Sequence, residues 1–393
     1  MDKKSVVGRG QMEVAGRANR PLEFSSEKKS IIPGITVLIS ISFLVLIFLS
    51  PNILNLQWAN GLTNETEQAI LDLNEKGINL LREGSYNQAI SSFDKALAIE
   101  PNYSATLNNK GFALFSLGNY SDAFALYERA LNANASNDNA FNNIGYTLMS
   151  LGNYTDALPY FDKAIALNPD SYNAFNNKGY SLMSLGNYTD ALPYFDKSIA
   201  LNPDSDNAFN NKALDLYYLG RYNEAIPYYD KALAIAPNDT LTLNNKAAAL
   251  FELGRGNESI AISDKILATD PNNVNALRTK GESLFSLGRV NESITYYDKV
   301  LALDPEYPAV LSDKGVALMS SGKNAEAITI FDKALAINPN HLSSLNGKGA
   351  ALANLGKYYE GIQYLDKALS IDPKYAIALD NKNKILEVLK SGR

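Results

Sequence analysis

From Ile70 to Tyr375 the chain repeats one hydrophobic pattern with a period of 34 residues and no insertion or deletion. The clearest copy is residues 138–171 against 172–205, which differ only at Asp138/Tyr172, Ile144/Lys178, Thr147/Ser181 and Ala164/Ser198. Taking Asp138 as position 1, position 4 is large and apolar (Leu107, Phe141, Phe175, Phe209), position 8 is small (Gly in seven units, Ala213 and Ala247 in two) and position 11 is Leu throughout. Spacing of i, i+4, i+7 predicts one face of a helix. Position 15 is Gly in every unit, from Gly84 to Gly356, and predicts the stop of that helix. A second small–aromatic–Ala triplet at positions 20, 24 and 27 predicts a second helix, ended by Pro at position 32 in all units but one, where Ala135 stands. With Thr155 as the cap of its helix, Pro159 removes only the first ladder hydrogen bond, and Pro193 and Pro227 recur at the same place. A hairpin with two apolar faces cannot bury both alone, so the units are expected to stack.

The period gives nine units over 70–375, then a half-unit over 376–393 carrying Leu379 and Leu386 at positions 4 and 11. Its other face is polar (Lys382, Asn383, Lys384, Glu387, Lys390), as expected of a capping helix. Unit 6 (240–273) breaks the pattern with Gly256, Ser259, Ser263 and Ile266 at positions 17, 20, 24 and 27, and is expected to be the weak seam of the array.

These residues resemble the tetratricopeptide repeat family: the large–small–Leu triplet, the turn glycine, the small–aromatic–Ala triplet and the closing Pro, over most of the chain. The resemblance implies an all-α fold, an α-solenoid in which helix-turn-helix repeats wind as a right-handed superhelix around a concave groove, and a scaffold for protein or peptide partners. It implies that positions 2, 5, 6, 9, 12 and 13 approach the groove. One departure is position 7, usually Leu in the family and Lys here in eight units, whose stems are expected to pack while the ammonium reaches water.

At the groove positions the chain carries an unusual row: Asn108 and Asn109, Asn142 and Asn143, Asn176 and Asn177, Asn210 and Asn211, Asn244 and Asn245. An Asn amide offers one acceptor and two donors, so a regular row can pair with an extended peptide backbone. It can equally bond across helices as structure, and the sequence leaves both open. Beside it lie Phe112, Phe115, Tyr146, Met149, Tyr180, Met183 and Tyr217. The carboxylate clamp of chaperone-binding members needs Lys at position 5 and Asn at position 9 of one unit, and neither occurs.

Outside the repeat, residues 31–49 run without a charge, long enough as a helix for the ~30 Å hydrocarbon core. A transmembrane signal-anchor over 31–50 follows, with 51–69 as linker and helix lead-in. Seven cations precede the span (Lys3, Lys4, Arg9, Arg17, Arg20, Lys28, Lys29) and none occurs between Ser50 and Glu75. The positive-inside rule then makes 1–30 a cytoplasmic basic tail and places the repeats outside the cytoplasm.

Composition narrows the chemistry. There is no cysteine and one histidine, His341, so no thiolate site and no multi-histidine metal site is expected, nor any cofactor. Net charge is −6, and the first thirty residues hold +3 of it, so no broad basic field draws nucleic acid. Nine Asn-x-Ser/Thr sequons, three of them (Asn119, Asn153, Asn187) in the turn after the glycine, agree with an outside location. The repeats fill the chain and no catalytic constellation is visible, so a non-catalytic binding protein is expected. A surface protein binding glycan or envelope polymer through the same residues is the alternative.

Overall fold

A computed structural model describes residues 64–391, and the predicted span at 31–50 lies outside them. Among the described residues no helix is long and apolar enough to cross a membrane. All regular structure there is helical. The first ten helices are α1 (Asn64–Arg82), α2 (Tyr86–Ile99), α3 (Ser104–Ser116), α4 (Tyr120–Ala133), α5 (Asp138–Ser150), α6 (Tyr154–Leu167), α7 (Tyr172–Ser184), α8 (Tyr188–Leu201), α9 (Asp206–Tyr218) and α10 (Tyr222–Ile235). They are followed by α11 (Thr240–Glu252), α12 (Gly256–Thr269), α13 (Val274–Ser286), α14 (Val290–Leu303), α15 (Pro308–Ser320), α16 (Asn324–Ile337), α17 (Leu342–Asn354), α18 (Tyr358–Ile371) and α19 (Ala376–Lys390). The chain divides into two compact units between Ala236 and Pro237, with α1–α10 in the first and α11–α19 in the second. Each is an all-α solenoid in which helices pair as hairpins and each hairpin stacks on the next within its unit.

The turn glycine works as the pattern predicts. Gly152 has φ +80°, its N–H donates to Met149 O at 3.0 Å, and Asn153 N–H donates to Leu148 O at 2.9 Å. This pair of bonds closes a helix with a left-handed residue after the cap, a conformation glycine reaches without a Cβ penalty. The position-8 glycine has a different reason. A Cβ on Gly145 would lie 2.7 Å from Phe161 Cε1, so the ring at position 24 occupies the space a side chain would need. Phe161, Ala157 and Ala164 are wholly buried, which is the small–aromatic–Ala triplet meeting the first helix.

Three local expectations are corrected. Asn153, not Thr155, precedes α6, so the first ladder bond is Ala157 N–H to Asn153 O and Pro159 removes a bond in the second turn. Thr155 and Pro159 are both exposed, so water can reach the freed carbonyl. Six of the position-7 lysines end in an ion pair, whereas Lys76 is exposed. Lys178, Lys212, Lys280 and Lys348 pair with Asp162, Asp196, Asp264 and Asp332 on the preceding second helix, while Lys110–Asp94 (2.6 Å) and Lys314–Asp298 (2.5 Å) repeat the contact. Lys212 and Lys348 also donate to Tyr228 and Tyr364 on the second helix of their own hairpin, at 2.8 and 2.7 Å. On α19, Leu379 is 41% exposed, and the helix instead buries Ala378, Asn381 and Ile385.

Candidate peptide-binding face

Positions 5 and 6 sit in the second turn of each first helix, and the stacking of hairpins brings position 6 of one unit beside position 5 of the unit before. Asn109 Nδ2 donates to Asn74 Oδ1 at 3.1 Å, Asn143 to Asn108 at 2.9 Å, Asn177 to Asn142 at 3.1 Å and Asn211 to Asn176 at 3.1 Å. Within a unit, Asn108 and Asn142 Nδ2 reach Asn109 and Asn143 Oδ1 at 3.4 Å. The asparagine row is therefore a hydrogen-bonded ladder between first helices, the cross-helix arrangement that the sequence left open. Burial agrees: Asn108, Asn109, Asn176, Asn177 and Asn210 are buried and Asn142, Asn143 and Asn211 half-buried. In the second compact unit Asn245 is buried, and Asn244 Nδ2 donates to Asn273 Oδ1 at 3.3 Å. The rung reappears at the end of the chain, where Asn381 donates to Asn346 at 2.9 Å.

Beside the ladder in the first compact unit runs a row of aromatic rings. Phe115 lies 5.2 Å (centroid to centroid) from both Tyr120 and Tyr146, and 6.4 Å from Phe112. Tyr154 meets Tyr180 at 6.4 Å, Tyr188 stacks on Tyr218 at 5.2 Å, and Tyr217 meets Tyr218 and Tyr222 edge-on. Position 17, at the start of a second helix, meets position 9 or 13 of the next first helix at Tyr154 and Tyr188, and position 12 of its own hairpin at Tyr120 and Tyr222. Sequence reasoning named Phe112, Phe115, Tyr146, Tyr180 and Tyr217, and the structure brings all five into this row. It missed Tyr120, Tyr154, Tyr188, Tyr218 and Tyr222. The available signal was a Tyr two residues after the turn glycine in five successive units, from Tyr86 to Tyr222. Met149 is half-buried, whereas Met183 is 5% exposed and packs with Ala191 and Phe195 in the core.

The face is electrically neutral. Positions 2, 5, 6, 9, 12, 13 and 17 of units 2–5 contain no Asp, Glu, Lys or Arg. The phenols of Tyr146, Tyr180 and Tyr218 stay protonated at neutral pH. Burial, with Tyr180 and Tyr120 adding, raises the pKa of Tyr146. Burial and then Tyr154 raise that of Tyr180, against a hydrogen bond with Ser184. Burial, with Tyr188 and Tyr180 behind it, pushes Tyr218 up to about 12. The second compact unit differs: at positions 5 and 9 of unit 7, Arg278 Nε donates to Glu282 Oε1 at 3.0 Å, and Arg278 Nη1 donates to Tyr307 Oη at 3.3 Å. His341 precedes α17 with Nδ1 2.8 Å from Ser344 Oγ.

Profiles described as tetratricopeptide repeat match residues 142–206, 278–341 and 312–376, and a second such profile matches 80–143 and 216–281. No curated protein matches the chain. Among solved structures it is similar to the APC/C hetero-tetramer Cut9–Hcn1, at 18% identity and TM-score 0.55, covering 83% of this chain and 67% of that one. It is also similar to pilF of Pseudomonas aeruginosa, at 21% identity and TM-score 0.51, covering 56% of this chain and 100% of that one. At these identities both show the fold. Taken together the two profiles span well over half of the sequence, and the chain belongs to the tetratricopeptide repeat family.

Proposed function

We propose that this chain is a membrane-anchored, non-catalytic scaffold that binds an extended peptide or protein segment along the neutral Asn–Tyr face of α3–α10. In this reading residues 1–30 are a cytoplasmic tail, 31–50 a single transmembrane helix, 51–69 a linker, 70–375 nine repeats and 376–393 a cap. The repeat region is displayed outside the cytoplasm. The family's fold is a protein-interaction scaffold, which supports the general reading. The observation that carries the site is the concentration of aromatic rings on one uncharged face over four successive repeats, each of which has two or three among positions 9, 12, 13 and 17. The other units have at most one aromatic among those positions (Tyr86, Phe251, Phe285 and Tyr358), and at position 9 units 6–9 carry Ala248, Glu282, Val316 and Ala350.

The test is a photo-crosslinking residue placed in the full chain in its native cells. At Met149 or Tyr180 it is expected to capture a protein, identified by mass spectrometry. At Glu128, exposed on α4 away from the rings, it is expected to capture none of the same partner. Equal capture at the two places ends the assignment of this face.

A further inference from the structure

Resting on the extracytoplasmic placement proposed above, the fold sorts the nine Asn-x-Ser/Thr sequons, all of which lie among the described residues. A transferring enzyme must reach the asparagine amide and hold the hydroxyl two residues on, so both side chains have to leave the fold together. Six sequons fall short of this. Ser259 and Ser293 are wholly buried, and their Oγ atoms donate to Ala247 O and Val290 O, each at 2.8 Å, which withdraws the hydroxyls of Asn257 and Asn291. Beside Asn102, Ser104 is half-buried and its Oγ donates to Ala130 O at 2.8 Å. Asn134 is itself half-buried, as are Thr66 and Thr240 in the sequons of Asn64 and Asn238.

Three sequons present both side chains to solvent: Asn119 with Ser121, Asn153 with Thr155, and Asn187 with Thr189. All three asparagines stand at position 16, in the turn between the helices of three successive hairpins. The preceding glycines, Gly118, Gly152 and Gly186, have no atom within 4 Å of where a Cβ would stand, so the turn is open to approach. Duplication alone does not account for the row. Unit 2 differs from unit 3 at 21 of 34 positions, yet keeps Asn at position 16 and a hydroxyl at position 18, with Ser121 in place of Thr155. In units 5–9 position 16 is a cation instead (Arg221, Arg255, Arg289, Lys323, Lys357), each within 4.0 Å of the Glu three residues on. Units 2–4 keep the acid, as Asp122, Asp156 and Asp190, and carry the sequon where the cation would be.

We propose that Asn119, Asn153 and Asn187 carry N-linked glycans, which form a modified edge along the hairpins of α3–α8. In the transfer, Nδ2 bonds to the anomeric carbon of a glycan activated as its polyprenyl phosphate or pyrophosphate. The amide gives up one N–H proton, and the phosphate group leaves with the electron pair of the broken C–O bond. The three sites are graded. The side chains of Asn153 and Asn187 make no capping bond, whereas Asn119 Nδ2 donates to Asp122 Oδ2 at 2.7 Å and its Oδ1 accepts from Asp122 N–H at 3.4 Å. Asn119 must release that contact before transfer, so its occupancy is the lowest. The residue after each asparagine is Tyr120, Tyr154 or Tyr188 of the aromatic row, so the glycans border the binding face on its turn side.

The experiment isolates the full chain from its native cells in detergent and maps intact glycopeptides by mass spectrometry with electron-transfer fragmentation. Asn153 and Asn187 are expected to carry saccharide mass in most copies, Asn119 in fewer, and Asn257 and Asn291 in none. Thr155→Ala is expected to abolish the mass at Asn153 and leave that at Asn187, and Thr155→Ser to retain both. Bare Asn153 and Asn187 in the parent chain overturn the inference, and so does mass at Asn153 that persists in Thr155→Ala. Equal occupancy at Asn257 or Asn291 also overturns it, because exposure in the fold then selects nothing. Labelling of Tyr359→Cys, at a ring 75% exposed, with a membrane-impermeant maleimide on the same cells separates the two readings. Bare asparagines with the thiol labelled overturn the glycans and leave the displayed scaffold in place, whereas bare asparagines with the thiol protected overturn the placement as well.

Discussion

Position 10 of the repeat is buried in units 2–9 and is Ala, Ser or Thr in all of these but one. In unit 5 it is Asp215, 0% exposed, with neither carboxylate oxygen hydrogen-bonded. Burial pushes its pKa up to about 7, and Arg221 at the α9–α10 turn recovers only part of the cost. The folded pKa lies above the unfolded value, so folding penalises the ionised form. Below about pH 4 both states are protonated and there is no penalty. Between about pH 4 and 7 the unfolded chain ionises first and stability falls as pH rises, and above that the penalty is constant. Asp215→Ala, the residue four other units carry, is expected to stabilise by about 2–4 kcal/mol near pH 8, and the pH-dependent part of that gain disappears near pH 4. Thermal midpoints of variant and parent across this range check it. A difference that stays constant with pH means that Asp215 ionises normally in the fold.

At the scale of the element, the hairpin α11–α12 replaces the usual glycine and aromatic with Ala247 and Ser263, both wholly buried. The hairpin closes differently. Ser259 Oγ donates to Ala247 O at 2.8 Å, Ser283 Oγ donates to Ser259 Oγ at 3.0 Å, and Ser263 Oγ has no hydrogen-bond partner. The compact units divide one loop before this hairpin, so the predicted weak seam falls inside the second unit and the division at Ala236/Pro237. Ser263→Phe alone sets about 1.5–3 kcal/mol of burial against an overpacking cost of about 1–3 kcal/mol at the Ala247 Cβ, and is expected to be near neutral. Adding Ala247→Gly opens the space found at Gly145, so a double-mutant cycle by chemical denaturation is expected to give a favourable coupling of at least about 1 kcal/mol. Additive effects sink the idea that glycine and ring act as one packing unit. These same pairs explain what the sequence made legible. Period, turn glycine and apolar triplets answer to backbone geometry and volume, which recur in every unit. The ladder was half legible, because Asn at positions 5 and 6 shows its donors and acceptors but not that a register of 35 residues pairs them. The lysine–aspartate contacts escaped the pattern because Lys212 and Asp196 lie on different units, so no helix-face count joins them.

For the whole molecule, the proposed anchor makes a prediction about which side of a membrane the neutral face meets. In the proposed reading, the seven cations before residue 31 and their absence from Ser50 to Glu75 put the N-terminus inside by the positive-inside rule. Residues 31–393 then carry a net −9, against +3 on the first thirty. If displayed as proposed, a domain of that sign would be repelled by anionic surfaces, which would favour contacts at its neutral face. The absence of cysteine makes the topology directly readable, since one introduced thiol has no background. Tyr359→Cys, at the most exposed large apolar side chain described, is expected to react with a membrane-impermeant maleimide on intact cells. Ser5→Cys is expected to react only after lysis. The reverse pattern puts the repeats in the cytoplasm, and recovery of the uncleaved chain in the soluble fraction ends the anchor reading. In either of those cases the face would meet partners that an extracytoplasmic scaffold never encounters. The crosslinking experiment at Met149 therefore gains its meaning from this measurement, because the side of the membrane fixes the pool of proteins from which a partner is captured.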